Sequence, residues 1–282
     1  MNDIPSDKSA KDTHYAKLRR QFRDQKAGGP PQWRERPPVG ASAVASGLVR
    51  LYGLHTVRAA LDNPARVIKS MLVTKNALDR LEISDVAALP FPVDITDPKS
   101  IDKEAGSDAV HQGVVIEAEP LAAKRLEDLS DTSLVLVLDQ VTDPHNVGAI
   151  MRSAVAFNAG ALITTNRHSP LESGVLAKAA SGALELMPHI EVRNLADALS
   201  ELQTLGFQTI GLDSEGACEL EYSFEAKKIA LVLGAEGKGL RQKTRETVTR
   251  LARISMPGAI KSLNVSNAAA LSLYAAHRYL GR

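Results

Sequence analysis

Two unbroken apolar stretches, LVLVLD at 134–139 and KIALVLG at 228–234, most narrow what this chain can fold into. A strand with one wet face alternates apolar and polar residues. A run without that alternation belongs to a strand covered on both faces, the central position in a parallel sheet with helices above and below. Further strand signals lie at ALITT (161–165), HIEV (189–192), FQTIGLD (207–213) and ARISM (252–256), with helical segments around 146–158, 173–181, 194–205 and 264–280. Strand and helix thus alternate through residues 134–282, the pattern of a mostly parallel α/β sheet flanked by helices.

A smaller α/β unit precedes it, over residues 47–120. LHTVRAAL (54–61) has helical spacing and ends at Asn63-Pro64, VIKSMLVT (67–74) reads as a strand and NALDRL (76–81) as a short helix. FPVDIT (91–96) is a second strand, Asp97-Pro98 opens a helix to about Glu104, and GVVIEAE (113–119) is a third strand. Residues 121–133 (LAAKRLEDLSDTS) form a charged linker. Residues 1–46, with Pro30-Pro31 and Pro37-Pro38 and no sustained period, are expected to be a disordered arm.

Charge separates the arm from the rest. Residues 1–46 carry nine basic residues against five acids, whereas the remaining 236 carry 25 against 28, so a polyanion is drawn to the arm first. Within it, KLRRQFRDQK (17–26) can form a short basic helix with Leu18 and Phe22 as its apolar face. No apolar run approaches the roughly 18–20 residues of a membrane-spanning helix. A lone Cys218 rules out an intramolecular disulfide and a multi-thiolate zinc site, which fits a reducing, cytoplasmic setting and no metal.

Chemistry concentrates in three segments. In LDQVTDPHNVGAIMRSAVAFNAG (138–160), Arg152 is the one permanently charged residue between Pro144 and Asn166, set among Val147, Ile150, Met151, Ala154 and Val155. Its guanidinium cannot discharge, so it needs a partner or an anion; a buried carboxylate partner is the plain alternative to a functional role. Asn146 stands where helix capping is the default task. In LVLGAEGKGL (231–240), Gly234, Gly237 and Gly239 follow a buried strand and let backbone groups approach a ligand, with Glu236 the one acid; taken alone, this also reads as a simple turn. It is neither GxGxxG nor a P-loop. In ISMPGAIKSLNVSNAAALSLYAAHRYL (254–280), Ser262 and Asn264 are natural caps for an alanine-rich helix. His111 and His145 lack visible ligand partners, and there is no nucleophile elbow.

NVGAIMR (146–152), LGAEGKGL (233–240) and ISMPGAIKSLNVSNAAAL (254–271), in this order, resemble the three signature motifs of the SpoU/TrmH family of RNA ribose 2′-O-methyltransferases. LYGLHTVRAAL (51–61), HQGVV (111–115) and LAKAASGALELMPHIEVRNL (176–195) extend the resemblance over about residues 48–281. It implies a SPOUT-type fold, a C-terminal trefoil-knotted sheet behind a small α/β substrate-binding domain, as a homodimer with the site near the subunit interface. It places Asn146, Arg152, Glu236, Ser262 and Asn264 on the family's functional polar positions. Gly234, Ile254 and Leu263 fall on positions whose backbone holds the adenosyl group of S-adenosyl-L-methionine, with Met256 and Ser262 beside them.

The implied reaction is methyl transfer to the ribose 2′-hydroxyl of a guanosine in 23S rRNA. Transfer RNA is the alternative substrate, and a non-catalytic RNA-binding protein on the same fold the alternative class. Arg152 is expected to grip the adjacent phosphate and stabilise the developing alkoxide rather than to remove a proton. Asn146 is expected to orient it or the ribose, Glu236 to hold its guanidinium, and Ser262 and Asn264 to shape their loop.

Overall fold

A computed structural model describes residues 47–129 and 131–281. The expectations for the arm lie outside the described residues.

The first half builds β1 (Val49–Tyr52), α1 (Leu54–Asp62), β2 (Ile68–Val73), α2 (Lys75–Arg80), β3 (Val93–Ile95), α3 (Pro98–Ala105) and β4 (Val114–Ala118). They form a four-stranded sheet in the order β1-β4-β2-β3, with β4 antiparallel to β1 and β2, and β3 parallel to β2. Local chemistry sets the helix starts. Thr74 caps α2 by accepting from the Ala77 amide, and Asp97 caps α3 by accepting from the Lys99 and Ser100 amides, with Pro98 in the first turn.

The second half builds β5 (Leu134–Asp139), α4 (Pro144–Ala156), β6 (Ala161–Thr165), α5 (Gly174–Ala180), α6 (Ala183–Leu186), β7 (His189–Val192), α7 (Leu195–Thr204), β8 (Gln208–Leu212), β9 (Cys218–Glu219), β10 (Ile229–Gly234), α8 (Gln242–Thr247), β11 (Arg250–Arg253) and α9 (Val265–Leu280). The sheet order is β7-β6-β5-β10-β8-β11-β9, and every pairing is parallel.

The apolar runs are explained by the two faces. Leu134, Leu136 and Leu138 of β5, with Ile229, Leu231 and Leu233 of β10, enter one hydrophobic cluster; Val135, Val137, Ala230 and Val232 enter another on the opposite face. At about 1.5–3 kcal/mol for each fully buried Val or Leu, both sides of these strands contribute to stability, and neither tolerates a polar residue. The expected linker is less loose than its charges suggest. Leu126 and Leu129, on a 3-10 turn, are buried in the second cluster.

The first cluster continues into the small sheet, taking in Val49, Leu51, Val57, Met71 and Ile116. Contact is close: a Cβ on Gly174 would lie 2.3 Å from Tyr52 Cε1 and 2.6 Å from the Arg50 carbonyl, and Thr56 Oγ1 donates to the Ala177 carbonyl at 3.1 Å. Beside this seam, the side chain of Arg66 is fully buried. It pairs with Glu185 at 2.6 Å and Glu172 at 2.5 Å and donates to the Glu119 carbonyl at 2.8 Å.

Candidate active site

Because the seven strands are parallel, their carboxyl ends share one edge, the place where open α/β sheets bind ligands. Gly234 at the end of β10 lies opposite Asp139 at the end of β5. The turn after β5 and the glycine loop after β10 therefore emerge about 4.8 Å apart, one strand spacing.

The glycine loop is held from both ends. At its start, a Cβ on Gly234 would fall 2.1 Å from the Gly239 carbonyl carbon and 2.4 Å from the Leu240 nitrogen, so no larger residue fits. The loop folds back on itself there, with the Gly239 amide donating to the Ala235 carbonyl at 2.8 Å. Gly237 (φ +74°) and Gly239 (φ +64°) take left-handed backbone with open space where a Cβ would sit. At its far end, buried Asp139 accepts from the Arg241 amide at 3.0 Å and from Arg241 Nε at 2.6 Å. One turn later, Arg245 pairs with Asp213 just beyond β8. These two ion pairs fasten α8 to the strands on either side of β10. Asp139 and Arg241 escaped the sequence reading; the available signal was an acid closing an otherwise apolar strand.

Three of the expected site residues meet. Glu236 Oε1 accepts from Asn264 Nδ2 at 2.6 Å, from the Val265 amide at 3.2 Å and from Asn146 Nδ2 at 3.4 Å. Asn264 Nδ2 also donates to Asn146 Oδ1 at 3.0 Å. Caps explain how these side chains are available. Asp143, not Asn146, caps α4, by accepting from the His145 amide, which leaves the Asn146 side chain free for the cluster. Asn264 does cap α9, as expected, but with Oδ1, through the Ser266 amide at 2.8 Å, so its Nδ2 still points to Glu236. The Glu236 charge sits at the N-terminus of α9, where the helix dipole favours an anion.

Arg152 stands apart. Six residues beyond Asn146, it is roughly 9 Å farther along the helix axis. It is exposed and makes no hydrogen bond or ion pair among the described residues, so neither a buried carboxylate nor Glu236 holds it. The expectation of a cation enclosed by apolar groups is corrected by helix geometry. His145, Ala149, Arg152 and Ala156 share one lane of α4, and that lane is left open while Val147, Ile150, Met151 and Ala154 pack inward.

Ser262 is exposed and caps nothing; it lies in the segment between β11 and α9. β11 ends at Arg253 rather than 256, so Ile254 and Met256 also belong to that segment. Met256 offers its carbonyl to Lys261 Nζ at 2.7 Å, and Leu263, 40% exposed, and Ile260, 76% exposed, present apolar surface next to the cluster. Among the described residues no group of three or more His, Cys, Asp or Glu could hold a metal ion.

Residues 133–274 match the SpoU rRNA Methylase family, and residues 50–123 match the RNA 2′-O ribose methyltransferase substrate binding family. The chain is 42% identical over 239 residues to the 23S rRNA (guanosine-2′-O-)-methyltransferase RlmB of Ralstonia nicotianae, covering 81% of this chain and 94% of that one. The chain belongs to the SpoU rRNA methylase family. The RlmB protein of Pseudomonas putida is 36% identical over 241 residues, covering 83% of this chain and 97% of its own. Among solved structures, the SpoU methyltransferase AviRb of Streptomyces viridochromogenes aligns with a TM-score of 0.72 at 22% identity, over 85% of this chain and 93% of that one. An AdoMet-bound rRNA methyltransferase of Sinorhizobium meliloti aligns with a TM-score of 0.70 at 24% identity, over 84% and 89%. This SpoU member therefore has the fold of the family, with the parallel sheet carrying the motif residues at its carboxyl edge.

The chemistry of these residues fits an adenosyl group. The glycine loop offers backbone amides and carbonyls without side chains in the way, and Ile254, Met256 and Leu263 offer apolar neighbours for a flat base. Replacing Gly234 with Ala tests the loop. The added methyl meets backbone that cannot step aside, so the expected cost is about 1–3 kcal/mol of stability. Calorimetry should also show affinity for S-adenosylmethionine lowered about tenfold, as a loop shift worth about 1.4 kcal/mol gives.

Proposed function

We propose that this chain transfers a methyl group from S-adenosylmethionine to the ribose 2′-hydroxyl of a guanosine in 23S rRNA. The observation carrying this reading is the meeting of Asn146, Glu236 and Asn264, drawn from three separate motifs, beside the fastened glycine loop. RlmB relatives aligned over nearly their whole length give the substrate.

Gly234, Ile254, Met256, Ser262 and Leu263 hold the donor, which supplies a sulfonium-activated methyl group. The chain's own residues position the acceptor. Arg152, exposed and permanently charged, grips the phosphate next to the target ribose and stabilises negative charge growing on the 2′-oxygen as its proton passes to solvent. Asn146, Glu236 and Asn264 keep the three motif segments in register, so oxygen and methyl approach in line, and alignment of this kind lowers a barrier by several kcal/mol.

Residues 47–120 act as the RNA-binding part and 134–282 as the transferase, with 121–133 between them and the basic arm 1–46 adding affinity for the polyanion. The segment from 254 onward threads an earlier loop to form a trefoil knot. The working form is a homodimer in the cytoplasm. Leu271, 50% exposed, and Tyr274, 54% exposed, whose ring lies 6.0 Å from that of Phe157, supply apolar surface on α9 for a second copy.

The test incubates purified protein with methyl-labelled S-adenosylmethionine and unmodified 23S rRNA or tRNA. Label is expected on one guanosine ribose of 23S rRNA. Label on tRNA would move the substrate, and donor binding without transfer to either RNA would point to a binding protein.

A further inference from the structure

The carboxyl edge of the parallel sheet is electrically lopsided. β7 and β6 lie together at one end of the sheet order, and their ladder runs to the rim, where the Asn166 amide donates to the Val192 carbonyl at 3.1 Å. Arg193 follows β7 immediately and Arg167 follows β6 by one residue, so these two arginines leave the sheet from neighbouring strand ends. Lys238 extends the series from the glycine loop after β10. All three are exposed, and none makes a hydrogen bond or ion pair among the described residues. Most acids on this side are engaged: Glu172 receives Arg66 and the Leu121 amide, Asp139 receives Arg241, Asp143 caps α4 and Glu236 joins Asn264. Glu191, two residues before Arg193, and Asp197, four after it, are exposed.

The other half of the edge is acidic. Asp213 and Glu215 follow β8, and Glu219 ends β9. Arg245 and Arg253 offset Asp213 and Glu219, but Glu215 faces solvent without a cation among the described residues. A phosphodiester meets unpaired cations on one half of this rim and paired charges with one unpaired acid on the other. Beside Arg167, the buried hydroxyls of Thr165, which ends β6, and Ser169, in the loop after it, have no hydrogen-bond partner among the described residues. Buried hydroxyls in that state cost about 1–3 kcal/mol each.

Resting on the methyl-transfer reading above, we infer that a single-stranded stretch of the RNA substrate lies across the carboxyl ends of β7 and β6. Arg193 and Arg167 hold successive phosphates there, and Lys238 receives the strand at the catalytic cluster. From β7 to β10 is three strand spacings, about 14 Å, the reach of a short run of nucleotides. Approach from this side brings the ribose to Asn146, Glu236 and Asn264 without crossing the acidic half, and leaves the bases free to be splayed and stacked.

Salt titration of binding to a 23S rRNA fragment tests the path. For Arg167→Gln/Arg193→Gln, loss of two phosphate contacts lowers the slope of log K against log salt by about 1.4, at about 0.7 per contact on a single strand. Affinity for S-adenosylmethionine and the melting temperature stay at wild-type values, since both residues are exposed. Arg167→Lys/Arg193→Lys keeps the charge and the slope. Lys227→Gln, at the opposite edge just before β10, leaves the slope unchanged. A wild-type slope in the double Gln variant, or an equal drop in Lys227→Gln, overturns the path. If wild-type protein binds the fragment but does not methylate it, the transfer reading fails by itself, and the slopes still judge this surface.

Discussion

Arg152→Ala is expected to lower methyl transfer about 100- to 1000-fold, the usual loss when one preorganised donor to a developing oxyanion is removed. The same variant should melt with the wild-type protein. Arg152 is exposed and bonded to nothing among the described residues, so the folded chain loses no interaction when its side chain is cut back. A cation that the fold leaves unspent, in a motif otherwise given to packing, is available to substrate. Arg152→Lys should recover only part of the rate, because an ammonium restores the charge without the planar fork that grips a phosphate at two points. Single-turnover rates with saturating donor read this directly. Near wild-type rates in both variants would remove Arg152 from the chemistry.

The largest loss of stability is expected from Arg66→Ala, about 3–5 kcal/mol, the range for deleting one partner of a buried ion pair. Its side chain is 0% exposed, while those of Glu185 and Glu172 are 1% and 15% exposed. Burial alone would lower the Arg66 pKa, but the hydrogen bond and charge of Glu185 and those of Glu172 outweigh it and the net movement is upward. Deletion therefore strands two carboxylates in low dielectric, and Asn63 Nδ2, at 2.7 Å from Glu185, cannot neutralise them. Thermal unfolding should move down by about 10 °C, taking about 2–4 °C per kcal/mol for a chain of this size. A deficit below about 1 kcal/mol at neutral pH, the level of an exposed pair, would show that the seam does not depend on this residue.

The architecture was legible where physics leaves one reading. Runs buried on two faces gave β5 to the residue and β10 to within one, and Asp97-Pro98 gave the start of α3. What escaped was set by distant partners. β9 has two residues and exists by pairing with β11, and α8 is polar and held by Asp139 and Asp213, acids that sit 102 and 32 positions before the arginines they receive. Arg66, in an ordinary-looking ARV sequence, meets glutamates 106 and 119 positions away. In the site, motif order located Asn146, Glu236 and Asn264 but not their bonding. Alanine in the lane of Ala149 and Ala156 hid the period of α4, because it counts as apolar on an exposed face as readily as in a core.

The place of β10 between β5 and β8 has a consequence for biosynthesis. After β5 leaves the ribosome, about ninety further residues must be translated before β10 begins, roughly 5–20 s at ordinary elongation rates. Throughout that interval the nascent chain carries an apolar strand with one unpaired margin, the template for wrong association. That margin of β5 is covered only once β10 has been translated and has paired with it.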